Sequence, residues 1–142
     1  MITRTRRTRD PIRRAFLAIC AVALTCAACD DSPSDIWEEA SFTIETEGDK
    51  FTIRVADGPT ITALEQRRAD GTIGVIIGNL VAGDGGFNDP WSWHLDPATV
   101  RAVDVSIEVC SGTPSMVEAD LDYWLELGQF CPWSARVVRK QE

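Results

Sequence analysis

Ser41-Phe42-Thr43-Ile44-Glu45-Thr46-Glu47-Gly48-Asp49-Lys50-Phe51-Thr52-Ile53-Arg54-Val55 decides the fold. Polar and apolar residues alternate from Ser41 to Thr46, as in a strand with one buried face. Glu47-Gly48-Asp49 supplies a turn, and Phe51 to Val55 alternates again, so the stretch reads as a β-hairpin. Its apolar face needs a cover, and the next residues supply one. Asp57-Gly58-Pro59-Thr60 brings a capping acid and an early-turn Pro to a helix from about Thr60 to Ala69. Ile61, Leu64 and the stem of Arg68 are expected on one side of it, and Asp70-Gly71 ends it.

Further downstream, Thr72 to Ala82 is β-rich, with Gly74 and Gly78 on one face suggesting a bulge or a close neighbour. The loop Gly83-Asp84-Gly85-Gly86-Phe87-Asn88-Asp89-Pro90 follows. Ala102 to Val109 reads as the clearest strand, with Val103, Val105, Ile107 and Val109 facing a one-sided core. Thr113-Pro114 opens a second helix with an apolar stripe of Val117, Leu121, Trp124 and Leu125, closed by Gly128. Ala135 to Arg139 returns as a last strand. The order β-β-α-β-β-α-β predicts one small α+β domain, an antiparallel or mixed sheet with two helices on one face.

Upstream of the hairpin the chain carries an address. Six arginines precede an apolar run from Ala15 to Ala28, 14 residues long, against a single acid, Asp10. A membrane-spanning helix needs about 20 apolar residues, so the run fits a signal peptide rather than an anchor. Arg13-Arg14-Ala15-Phe16-Leu17 resembles a twin-arginine export signal; an ordinary secretory signal is the alternative. Ala27-Ala28-Cys29 resembles the end of a bacterial lipobox, which makes Cys29 the expected lipidation site. Cleavage after Ala28 without acylation would release a soluble secreted protein instead. Residues 1–28 are therefore expected to be a signal peptide, 29–40 an acidic tether and 41–142 the domain. The expected location is the periplasm or cell surface, with the membrane reached through the N-terminal lipid.

Loss of the signal removes six Arg and one Asp, leaving 8 basic and 21 acidic residues, a net charge of −13. Such a surface repels polyanions, so no nucleic-acid partner is expected. Cys20 and Cys26 leave with the signal and Cys29 takes the lipid. Cys110 and Cys131 remain as an even pair in an oxidising compartment, which predicts a disulfide.

Asn88-Asp-Pro-Trp-Ser-Trp-His-Leu-Asp-Pro97, Ile107-Glu-Val-Cys110 and Cys131-Pro-Trp-Ser-Ala-Arg136 form a distinctive set. Together they resemble the BP seventy-four-like family, named after the N-terminal domain of a slime-mould cAMP-inducible protein. The resemblance covers about Phe51 to Val138 and implies the fold and a Cys110–Cys131 bridge. It implies no defined reaction.

Candidate chemistry is sparse. His94 is the sole histidine, and Ser92, His94 and Asp96 stand two residues apart. Such neighbours on one strand lie about 6.6 Å apart, too far for a catalytic triad. A hydrogen-bonded structural role for His94 outranks a ligand or metal role with Asp96. Asp84, Asn88 and Asp89 offer oxygens without EF-hand spacing, so turn chemistry outranks calcium. Asp104, Glu108, Glu118, Asp122 and Glu126 read as a solvated acidic face. The matching Pro-Trp-Ser tripeptides at Trp91 and Trp133 suggest two corners near the disulfide. The expected function is binding, with no cofactor and no metal, toward an unknown protein or small molecule. The expected surface is Phe87, Trp91, Trp93, His94 and Asp96, with Trp133 and Arg136 nearby. The alternatives are a small hydrolytic or metal-assisted enzyme using His94 with Asp96 or Glu108, and an inhibitor displaying the Gly83–Asp89 loop.

Overall fold

A computed structural model describes residues 38–141. The expected signal peptide, Cys29, Trp37 and most of the expected tether lie outside the described residues. Ala40, assigned to the tether by sequence, is buried and opens the first strand.

The expected hairpin forms, β1 (Ala40–Thr46) against β2 (Asp49–Val55), antiparallel from Ala40↔Val55 to Thr46↔Asp49. Its alternation is realised as burial: Phe42, Ile44, Phe51, Ile53 and Val55 are all inside. Helix α1 (Gly58–Asp70) starts where Asp57 accepts hydrogen bonds from the Thr60 backbone N–H and hydroxyl. It ends at Gly71, whose φ of 73° suits a residue without a Cβ. Ile61 and Leu64 are buried as expected, but Arg67, not Arg68, is the arginine that turns inward.

Strand β3 (Ile73–Ala82) is the hub of the sheet. On it pair β4 (Trp93–Leu95), β5 (Arg101–Val103), β6 (Gln129–Phe130) and β7 (Ala135–Gln141), all antiparallel. Strand β7 then joins β1, giving the order β2-β1-β7-β3-β4. A Cβ on Gly78 would sit 3.2–3.3 Å from Leu95 and Val100, so the strand runs close against both side chains.

Two expectations are corrected. The strand predicted from Ala102 to Val109 stops at Val103, and Glu108–Cys110 is a 3-10 turn. Val105, Ile107 and Val109 are 82%, 64% and 59% exposed rather than core. The Arg67 guanidinium closes off the ladder: it donates to the Val75 and Val103 carbonyls at 3.0 Å each and to Asp104. Its guanidinium carbon lies 2.7 Å from where a Cβ on Gly74 would stand, the close neighbour that this glycine signalled. The second expected helix is two, α2 (Pro114–Ala119) and α3 (Leu121–Leu127), broken at Asp120, where φ is −143° and ψ 58°. The apolar stripe survives the break, because Val117 and Trp124 are buried and Leu121 and Leu125 pack against the same core.

That core takes in β1, β2, β3, β4, β6, β7, α1, α2 and α3 as one cluster. Cys110 and Cys131 form the disulfide and, with Val75, a separate small cluster beside it. Among the described residues no helix is long and apolar enough to cross a membrane.

Candidate functional site

The segment Asn88–Pro97 works as a seal. Strand β2 ends the sheet on one side, and an edge strand leaves backbone groups unpaired. The side-chain amide of Asn88 is fully buried; its Oδ1 accepts from the Thr52 N–H and its Nδ2 donates to the Trp93 carbonyl, both at 2.7 Å. Trp91 Nε1 donates to the Lys50 carbonyl at 2.8 Å, and the Ala56 N–H donates to the Pro97 carbonyl at 3.2 Å. The two ends of the sheet, β2 and β4, are thus bridged through one segment. Glu118 locks that segment to α2, its two carboxylate oxygens accepting from the Ser92 N–H at 3.0 Å and hydroxyl at 2.8 Å. Glu118 is exposed, as the reading of a solvated acidic face expects, and it also serves as a structural acceptor.

The residues singled out by sequence go to separate places. Trp93 is fully buried between Phe51 and Phe130, with ring centroids 5.7 and 5.4 Å away, so it is core and not surface. Phe87 lies edge-on to His94 and under the Arg54 guanidinium, which is 4.7 Å from the ring centroid. A Cβ on Gly85 would stand 2.6 Å from Phe87 and 2.8 Å from His94, so this pair packs directly on the glycine backbone. His94 Nδ1 is hydrogen-bonded to the Gly83 carbonyl at 2.6 Å, and Asp96 Oδ1 accepts from the Ala98 N–H at 3.0 Å. Ser92, His94 and Asp96 therefore each have a different partner, and they form no relay. Asp84 caps its own loop by accepting from Gly86 N–H, while Asn88 faces inward; of the three suggested calcium ligands, two are spent on the fold.

Trp133 and Arg136 are not neighbours of His94. Arg136 pairs with Ile73 at one end of β3 and His94 with Val81 near the other, eight residues away, or about 26 Å along a strand. Nor do the two Pro-Trp-Ser corners meet. Trp91 packs on the main core, whereas Trp133 follows the disulfide and is 43% exposed.

Trp133 instead helps line a groove of about 300 Å³ with Ile73, Gly74, Val75, Asp104, Val105 and Ser106. One wall is the Asp104–Ser106 segment and the other is Trp133; the start of β3 is the floor. Arg136 stands on the same sheet face as Ile73, its register partner, and as Glu45, which pairs with Lys50 at 3.6 Å. Alternation predicts Val105 and Ile107 in the core, but the ladder ends at Val103 and both are exposed, Val105 in the lining of the groove. Arg67 was missed altogether; the signal available was Gly74, which reported a close neighbour without naming it.

A family model described as the BP seventy-four N-terminal domain matches residues 38–142, somewhat more than the stretch the three motifs span. No curated protein and no solved structure matches the chain.

Proposed function

This chain belongs to the BP seventy-four N-terminal domain family, and we propose that it is an exported, lipid-anchored binding module of the cell envelope. The Arg-Arg-x-Phe-Leu start supports twin-arginine export, and the small-small-Cys sequence ending at Cys29 supports the anchor. A protein carrying several acyl chains on that cysteine stays on the membrane, while its acidic domain projects from it.

The observation that carries binding is the apolar rim of the Trp133 groove. Ile73, Val105 and Trp133 line the groove and are exposed, Ile107 and Val109 are exposed further along the same segment, and the groove has room for one or two side chains. Apolar patches ringed by polar residues mark interaction sites, and exposed aromatics commonly anchor them. The reading is a protein partner that lays an apolar side chain between Trp133 and Val105. The net charge of −13 steers a basic partner toward the domain.

A photo-crosslinking residue at position 105, in cells exporting the full chain, tests this. The expected result is a crosslink to one protein that disappears with Trp133→Ala and is absent from a probe at exposed Asp122. Labelling that survives Trp133→Ala, or no labelling above the Asp122 probe, overturns it.

A further inference from the structure

The groove has two walls, and the same covalent bond holds both. Ser106 ends the lining of the first wall four residues before Cys110, and Trp133 stands two residues after Cys131. Between Val103 and Cys110 the chain has no strand ladder, and its apolar side chains point away from the protein. Apart from the disulfide, its ties to the body are few. Arg67 holds the Val103 carbonyl and Asp104, and the Cys131 N–H donates to the Cys110 carbonyl at 2.7 Å. Nothing in this wall contributes to the main core, which closes without either cysteine.

We infer that the Cys110–Cys131 bond sets the groove and not the fold: the domain folds as a dithiol, and oxidation then draws the Asp104–Ser106 wall up to Trp133. Only its functional meaning, that closure completes a binding face, rests on the groove being the binding site. Closure takes two electrons and two protons from the thiols of Cys110 and Cys131. An external disulfide accepts both by thiol–disulfide exchange and leaves as a dithiol. Before closure the Asp104–Cys110 segment lacks its covalent tie, which gives an oxidant access to the thiols. After closure Cys110 and Cys131 are buried, so the bond resists attack by other thiols. The arrangement suits a cargo that folds in a reducing compartment and works in an oxidising one, because the binding face is completed only at the destination.

Hydrogen exchange read by mass spectrometry tests the inference without any partner. The full chain is compared in detergent with its Cys110→Ala/Cys131→Ala variant, in which two small apolar side chains remove the bond without adding a polar group to the satellite cluster. The expected result is at least tenfold faster exchange in peptides covering residues 104–113 and 131–134, with peptides from β1, β2 and β7 unchanged. Unchanged exchange in the wall overturns the inference, and so does lost protection across β1, β2 and β7, which would make the bond a staple for the whole fold. A wall that loosens as expected in a protein that crosslinks to nothing at position 105 would leave this inference standing and sink the proposed binding.

Discussion

Asn88 and Trp93 are joined inside the protein by a single hydrogen bond, Nδ2 to carbonyl, 2.7 Å long. Because Asn88 also accepts from the Thr52 N–H, one side-chain amide stands in for a peptide unit between the two outer strands. Neither edge is left open to pair with another chain at that point.

Asn88→Ala strands the part-buried Thr52 N–H and the buried Trp93 carbonyl at once. The expected loss is about 2–4 kcal/mol of unfolding free energy, measured by urea titration. Asn88→Asp keeps the acceptor, loses the donor and buries a charge. It should be at least as damaging at neutral pH and recover partly on acidification, when the protonated carboxyl can donate to the Trp93 carbonyl.

Stability should fall on the acid side through two helix-end carboxylates. Asp57 is held below its usual pKa of 3.8, chiefly by the Thr60 hydroxyl, then by the Thr60 N–H, with Arg101 adding a little. Asp70 is lowered in the same direction by the Thr72 hydroxyl and N–H and by Gln66. A lowered folded-state pKa stabilises the native state fully above the unfolded value and loses that stabilisation as pH falls through the folded value. The window is therefore below about pH 4. Asp57→Asn and Asp70→Asn should each flatten the acid limb of a stability–pH curve and leave its neutral region nearly level.

Val105→Ser should leave stability within about 0.5 kcal/mol, since the side chain is 82% exposed. A thermal melt checks this. The same variant should weaken partner capture at the groove, so loss of binding without loss of stability separates a binding role from a packing one.

Cys29→Ser should move the protein from the membrane pellet to the soluble fraction after export. Full retention in the pellet would remove lipidation from the account.

Gly85→Ala should cost about 1–3 kcal/mol, because a Cβ would approach Phe87 Cε1 to 2.6 Å and His94 Cγ to 2.8 Å at a φ of 64°. Gly86→Ala, with open space at a φ of 75°, carries only the backbone penalty and is expected near the low end of that range. Parallel denaturant titrations of the two variants compare them.

The hairpin, the Asp57 and Thr113 caps, the αL ends at Gly71 and Gly128, and the apolar stripe through Val117 and Trp124 are all legible in the order of residues alone. Each depends on residues within a few positions, where side-chain period and turn chemistry act directly. Accounting for the cysteines also narrows the disulfide to two of them. Other features wait for the chain to fold. The alternation of Val103, Val105, Ile107 and Val109 fits a strand, yet a ladder needs a free neighbour, and Arg67 already occupies that place from 36 residues away. Asn88 reads as a loop oxygen but is buried against Thr52, 36 residues away, and Glu118, still exposed, finds Ser92 from 26 residues away. Local pattern tells which side of an element is apolar, but which polar group meets an unpaired backbone atom depends on distant segments folding into reach. The seal and the groove are both made of such meetings, and for that reason they appear only in the folded chain.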